Sequence, residues 1–158
     1  MARQPVEPTS EQFFALLNSR DDLTAVIYGL ASIEARLDTA LAGMLVKGGL
    51  TPDVTARHAI KDKAYHLVDA GVLDPEFLPL LGHLVQVRNR FAHQLQTAIT
   101  VEEGNRAWDL LPGKDRTARS KTRENGSPGH HVRWAIVVLY VRLQNRAIYG
   151  HGANVPWW

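Results

Sequence analysis

The sequence predicts an all-α protein, a bundle of about five to six helices within one domain. Three observations carry that expectation. Apolar residues recur at spacings of three and four along most of the chain, the period of a helix with one buried face. Residues that start and stop helices bracket those segments. One segment alone reads as a strand, and no convincing second strand exists to pair with it. The chain has 158 residues, the length of a single domain. Such a chain buries about two-thirds of the surface its unfolded form exposes, so it needs no disulfide or metal staple.

Taken in order, residues 1–9 hold two prolines and few apolar groups, which predicts a flexible leader. Ser10 is placed to cap a short helix over 11–19, with Phe13, Phe14, Leu16 and Leu17 on its apolar side. Asp21 or Asp22 can cap a long helix over 22–47, where Leu23, Val26, Ile27, Leu30, Ile33, Leu37, Leu41, Met44 and Leu45 keep helical spacing. Gly48-Gly49 ends it. Thr51-Pro52 restarts a helix that continues through Ile60, Ala64, Leu67 and Val68 to Ala70, and Gly71 stops it. Asp74-Pro75 opens the fourth helix, with Pro79 delaying its regular part by a turn. From Leu80, the stripe Leu84, Val87, Phe91 and Leu95 holds one face. Thr100 caps a fifth helix over 101–111, slightly weakened by Gly104.

Residues 112–129 lack apolar periodicity and read as a loop within the domain spanning 10–150. Lys114, Arg116, Arg119, Lys121 and Arg123 stand there against Asp115 and Glu124, a local balance of +3. The whole chain carries only +2, so the basic excess sits in this loop. It is a weak nucleic-acid-binding candidate through phosphate contacts. A solvated loop is the competing reading, and no interleaved aromatic side chain suggests base stacking. The last element, over 130–149, contains the β-branched run Ala135–Val141, which also suits a buried strand. Helix is preferred because a strand would have no partner. The tail over 151–158 is irregular, and its Trp157-Trp158 pair suits either a docked or an exposed end.

Composition narrows the chemistry. The chain has no cysteine, which removes disulfides, thiolate zinc sites and cysteine nucleophiles and suits a reducing cytoplasm. Its longest apolar run, Trp134–Val141, is far short of the roughly 20 residues that span a bilayer, so no membrane partner is expected. No glycine-rich phosphate loop follows a strand and no Gly-x-Ser-x-Gly elbow occurs. His58, His66 and the pair His130-His131 lack a metal-binding spacing and read as surface histidines, so neither metal nor cofactor is expected. Asp21-Asp22 and Glu102-Glu103 read as helix-start charges.

The chemistry-bearing cluster lies on the fourth helix, in Val87-Arg88-Asn89-Arg90-Phe91-Ala92-His93-Gln94. It resembles the Arg-polar-x3-His signature of the HEPN superfamily, and the Arg-Asn-x-Phe-Ala-His wording resembles the mannitol-operon-repressor-like branch. The stretch Lys63–Leu73, ending in Gly-apolar-Leu, and the long helix over 22–47 fit the same branch. The resemblance spans roughly residues 20–111. It implies a helical bundle that commonly dimerises with its motif helices face to face. In catalytic members it implies a metal-independent endoribonuclease, with candidate catalytic residues here Arg88, Asn89 and His93. The alternatives are a non-catalytic transcriptional regulator or a helical scaffold domain. An antitoxin or a regulatory protein is then the expected partner beside RNA.

Elementary geometry agrees with a dimer. Asn89 and His93, four apart, share a helix face. Arg88 and His93 diverge by about 140° at 100° per residue, so one helix does not bring them together. Two helices packed across a two-fold axis can. Imidazole moves protons near neutrality, guanidinium grips phosphate through paired hydrogen bonds, and RNA brings its own 2′-hydroxyl nucleophile. His93 is thus the expected proton shuttle, Arg88 the phosphate clamp and Asn89 the orienting group. Arg90 reads as a solvated helix charge.

Overall fold

The computed structural model describes residues 9–18, 21–47, 59–94, 98–112 and 127–149, which form helices with no strand among the described residues. They are α1 (Ser10–Leu17), α2 (Asp22–Lys47), α3 (Ile60–Asp69), α4 (Phe77–His93), α5 (Val101–Asp109) and α6 (Pro128–Tyr149). The expectations for the leader, for Thr51-Pro52, for the basic residues Lys114–Arg123 and for Trp157-Trp158 lie outside the described residues.

Local chemistry sets the helix boundaries. Thr9, not Ser10, caps α1: its Oγ1 accepts from the Gln12 amide at 3.2 Å while its own amide donates to Gln12 Oε1 at 3.0 Å. Asp21 caps α2, accepting the amides of Leu23 at 3.2 Å and Thr24 at 3.1 Å. The Thr24 hydroxyl also donates to that carboxylate and, foremost among the causes, holds its pKa below the ordinary aspartate value. Of the helix expected from 52 to 70, the described part is α3, which starts at Ile60 because Ala59, at ψ 152°, is extended backbone. Gly71, at φ +71°, closes α3 as the sequence predicts, with the Val72 amide reaching back to Leu67 O at 2.8 Å. Pro79 sits in the first turn of α4, where its missing amide hydrogen leaves no intrahelical bond unmade.

The strand-or-helix ambiguity of Ala135–Val141 resolves to helix. Ser127 caps α6, its Oγ accepting from the His130 amide at 3.3 Å, and Pro128 takes the first helical position. The continuous apolar run follows from position: α6 packs against α2 and α5, so little of its surface is left for water. Ile136 lies beside Gly29 of α2, and Tyr140 stacks on Phe13 of α1 with ring centroids 3.8 Å apart. On the other side, His131 packs against Trp108 of α5 at 5.1 Å. His131 is therefore a buried core histidine, contrary to the surface position expected for it, whereas its neighbour His130 is exposed.

α2 is the central helix and touches α1, α3, α4 and α6. Val26, Leu30, Ile33, Leu37 and Leu41 are buried as their spacing predicts, each contributing about 2 kcal/mol through apolar burial. Ile27, expected in the same stripe, faces solvent, as does Phe14 of α1. Two ionic joints reinforce the centre. Lys63 of α3, 3% exposed, places Nζ 2.9 Å from Glu34 Oε1 and 2.8 Å from Asp38 Oδ1, one turn apart on α2. Burial pushes the Lys63 pKa down, but the two carboxylates outweigh it and hold the ammonium above the ordinary lysine value. At the other end of α2, Asp22 accepts from Arg133 Nη2 of α6 at 2.9 Å and from the Ile99 amide at 3.2 Å. Arg133 also donates to Leu17 O at the end of α1. This joint binds α1, α2, α6 and the segment before α5.

Gly104 is where α5 comes closest to α6. A Cβ there would stand 2.6 Å from Pro128 Cα and 2.8 Å from Pro128 O, both backbone atoms. Helix propensity alone favours Gly104→Ala by about 1 kcal/mol. Overpacking against backbone costs about 1–3 kcal/mol. Gly104→Ala is therefore expected to lower the urea midpoint of unfolding; a raised midpoint would show that the two helices can part without loss.

Candidate functional site

The motif residues occupy the last turns of α4, which ends at His93 because Gln94 turns to extended backbone (φ −121°, ψ 133°). About half of α4 is buried: Leu80, Leu84, Val87 and Phe91 enter the core. The polar remainder is ordered by helical phase. Gly82, Gln86, Asn89 and His93 fall within about 60° of one another and form one line along the helix. Gln86, Asn89 and His93 on that line are exposed. His83, Val87 and Arg90 lie about a quarter-turn round, toward α5.

Arg88 stands on the opposite flank and is half-buried. Its Nη2 reaches Asn89 Oδ1 at 3.4 Å. That is longer than the ordinary N–H···O range of about 2.7–3.2 Å, so the contact ties neither group firmly. No ion pair joins Arg88 to a carboxylate among the described residues. Asn89 and His93 share a face as their spacing predicts; Arg88 and His93 diverge, also as predicted. Within one chain the three side chains do not converge on a common point.

Arg90 departs from expectation. It is no solvated charge: its guanidinium grips the Glu103 carboxylate of α5 through both Nε and Nη2, the latter at 2.7 Å, and donates to Ala98 O at 3.0 Å. Glu103 completes the capping box of α5, its carboxylate accepting from the Thr100 amide at 2.9 Å while Thr100 Oγ1 accepts from the Glu103 amide at 3.2 Å. Its carbonyl accepts from His83 Nε2 at 2.9 Å, which puts the ring proton of that buried histidine on Nε2 when the ring is neutral. Burial raises the Glu103 pKa, but the bonds from Arg90 and Thr100 outweigh it and leave the carboxyl below the ordinary glutamate value.

Sequence reading missed His83, Lys63 and the role of Arg90. Glu103 read only as a helix-start charge, and a partner 13 positions away across a loop cannot be paired with Arg90 by local spacing. Elsewhere, no group of three or more His, Asp or Glu side chains among the described residues is placed to hold a metal ion. No helix among them is long and apolar enough to cross a membrane.

Removing Arg90 strips a part-buried carboxylate of its charge-assisted bonds. Arg90→Ala is expected to lower unfolding free energy by about 2 kcal/mol, measured by urea denaturation. Glu103 titrates lower folded than unfolded, so its contribution is complete above the ordinary value of 4.5 and is lost as pH falls through the folded value. The gap between wild type and variant should therefore close in acid. A gap that persists unchanged there would assign the loss to packing instead.

Compared with known proteins, the chain matches no family model, and no curated protein or solved structure is significantly similar to it.

Proposed function

We propose that the protein is a dimeric, HEPN-like, metal-independent endoribonuclease of the cytoplasm, of the toxin, phage-defence or stress type. One observation carries this reading: the exposed Asn89 and His93 share one line of α4, and Arg88 on the opposite flank is held by no carboxylate among the described residues. Arg90, two positions from Arg88, is consumed by a structural ion pair, so the motif positions are set apart by their environment.

The chemistry follows from these groups. In a two-fold dimer with α4 against α4, Arg88 of one protomer approaches His93 of the other across the axis. Neutral His93 accepts the proton of a ribose 2′-hydroxyl. The 2′-oxygen attacks the adjoining phosphorus and the bond to the 5′-oxygen breaks, leaving a 2′,3′-cyclic phosphate. The imidazolium returns its proton to the departing 5′-oxygen. Arg88 balances the charge growing on the phosphate oxygens through paired hydrogen bonds, and Asn89 orients the imidazole or the phosphate. The basic residues Lys114, Arg116, Arg119, Lys121 and Arg123 would add phosphate contacts that position the strand without reading its sequence.

The test is cleavage of a mixed structured RNA in EDTA by wild type, His93→Ala and Arg88→Ala. The expected result is cleavage by wild type with 2′,3′-cyclic phosphate ends, reduced by at least about a hundredfold in each variant. A folded wild type that leaves the RNA intact would overturn the nuclease assignment and favour a non-catalytic regulator or scaffold.

A further inference from the structure

Beside the motif, α3, α4 and α5 enclose a groove in two adjoining parts of about 290 and 240 Å³, with His83, Gln86 and Arg106 in both. The larger part has a composition that calls for an explanation. Lys61 and Tyr65 of α3 form one wall and Arg106 of α5 lies across from them, with Gly82 and Gln86 of α4 between. Two cations line it and no carboxylate does. Neither Lys61 nor Arg106 is in an ion pair among the described residues, whereas Lys63, Arg90 and Arg133 all are. The Lys61 side chain lies over the bare backbone of Gly82: a Cβ there would stand 3.5 Å from Lys61 Cε and 3.7 Å from Nζ, ordinary contact distances. Tyr65 is 55% exposed at the rim, an aromatic ring with no core to serve.

We propose that this groove binds a nucleotide, with the phosphate between Lys61 and Arg106 and the base stacked on Tyr65. Two cations without acidic partners favour a dianion or a diester phosphate over any neutral ligand. An exposed tyrosine beside them offers the π-face on which any base can stack. His83, its Nε2 held by Glu103 O, forms a rigid polar wall. The same chemistry is presented by a free nucleoside monophosphate and by one unit of an RNA strand. The strand source rests on the ribonuclease reading above, because Gly82 and Gln86 of the groove stand on one line with Asn89 and His93. From Gln86 to His93 that line rises about 10 Å, so a strand seated in the groove passes the motif.

The experiment is calorimetric titration of the full chain with 5′-AMP, adenosine, inorganic phosphate and a short oligoribonucleotide whose 2′-hydroxyls are methylated to block cleavage. Wild type is compared with Lys61→Ala/Arg106→Ala, Tyr65→Ala and His93→Ala. The substituted groove side chains are all exposed, so the core is untouched. AMP or the oligonucleotide should bind wild type at low salt and weaken at least about tenfold in the double variant, through loss of charge-assisted phosphate bonds. Tyr65→Ala should weaken the same ligand about tenfold through lost stacking, with little effect on inorganic phosphate. Equal affinity for AMP and the oligonucleotide identifies a free nucleotide as the ligand; a clear preference for the oligonucleotide identifies the strand. Retained binding by His93→Ala separates the groove from the cleavage site, so the groove can stand if the nuclease assignment fails. The proposal is overturned if neither ligand binds folded wild type, if the double variant binds as well as wild type, or if inorganic phosphate binds as tightly as AMP.

Discussion

One residue of α5, Glu103, ties α4 to that helix. Its carboxylate closes the capping box of α5 and receives the Arg90 guanidinium, while its carbonyl receives His83. One turn of α5 thereby holds α4 at two points seven residues apart on the same face. Each contact removes a charged or polar group from water, and burial alone would push the Glu103 carboxyl toward its neutral form. The hydrogen bonds outweigh that cost. With the His83–Arg90 face committed to α5 and the apolar face to the core, helical phase leaves no freedom for the rest. Gly82, Gln86, Asn89 and His93 must face outward. The exposure of the candidate site is thus a consequence of how its opposite faces are satisfied.

The same logic operates at the far end of the bundle. Asp22 is one carboxylate shared by Arg133 of α6 and the Ile99 amide, and Arg133 in turn satisfies Leu17 O, an unpaired carbonyl at the end of α1. The segment entering α5 is therefore fixed by α2 and α6 before Thr100 caps the helix. Gly104 then allows α5 to close onto the first turn of α6, where any side chain would meet backbone. These contacts place α5, and through Glu103 they place α4. Charged residues at helix ends do the joining, and apolar residues between them supply most of the stabilisation.

Much of this fold was legible in the sequence, for a physical reason: helix periodicity and caps are local. Gly71 stopping α3, Thr100 opening α5 and the buried stripe of α2 all depend on residues a few positions apart. Where a signal was ambiguous locally, the answer came from packing. Ala135–Val141 reads as strand or helix until α2 and α5 are known to flank it. Ser10 reads as the cap of α1, but Thr9 takes that place through Gln12, a pairing three positions apart that is itself local. His131 looked superficial beside His130 because Trp108, against which it is buried, is far away in sequence. For the site, the shared face of Asn89 and His93 and the divergence of Arg88 were readable from spacing. The commitment of Arg90 was not, and neither was the meeting of Lys61 and Tyr65 of α3 with Arg106 of α5 across α4.

We propose that Arg88 and His93, which point apart on one α4, act together across two copies of the chain. Complementation tests it most directly. Arg88→Ala and His93→Ala proteins, each inactive alone, are mixed under conditions that exchange subunits, and RNA cleavage in EDTA is followed. A mixed dimer holds one intact pair, so activity should return to at most about a quarter of the wild-type level at equal concentrations. A mixture that stays inactive, although both variants are folded, dimeric and exchanging, would contradict a site shared between subunits.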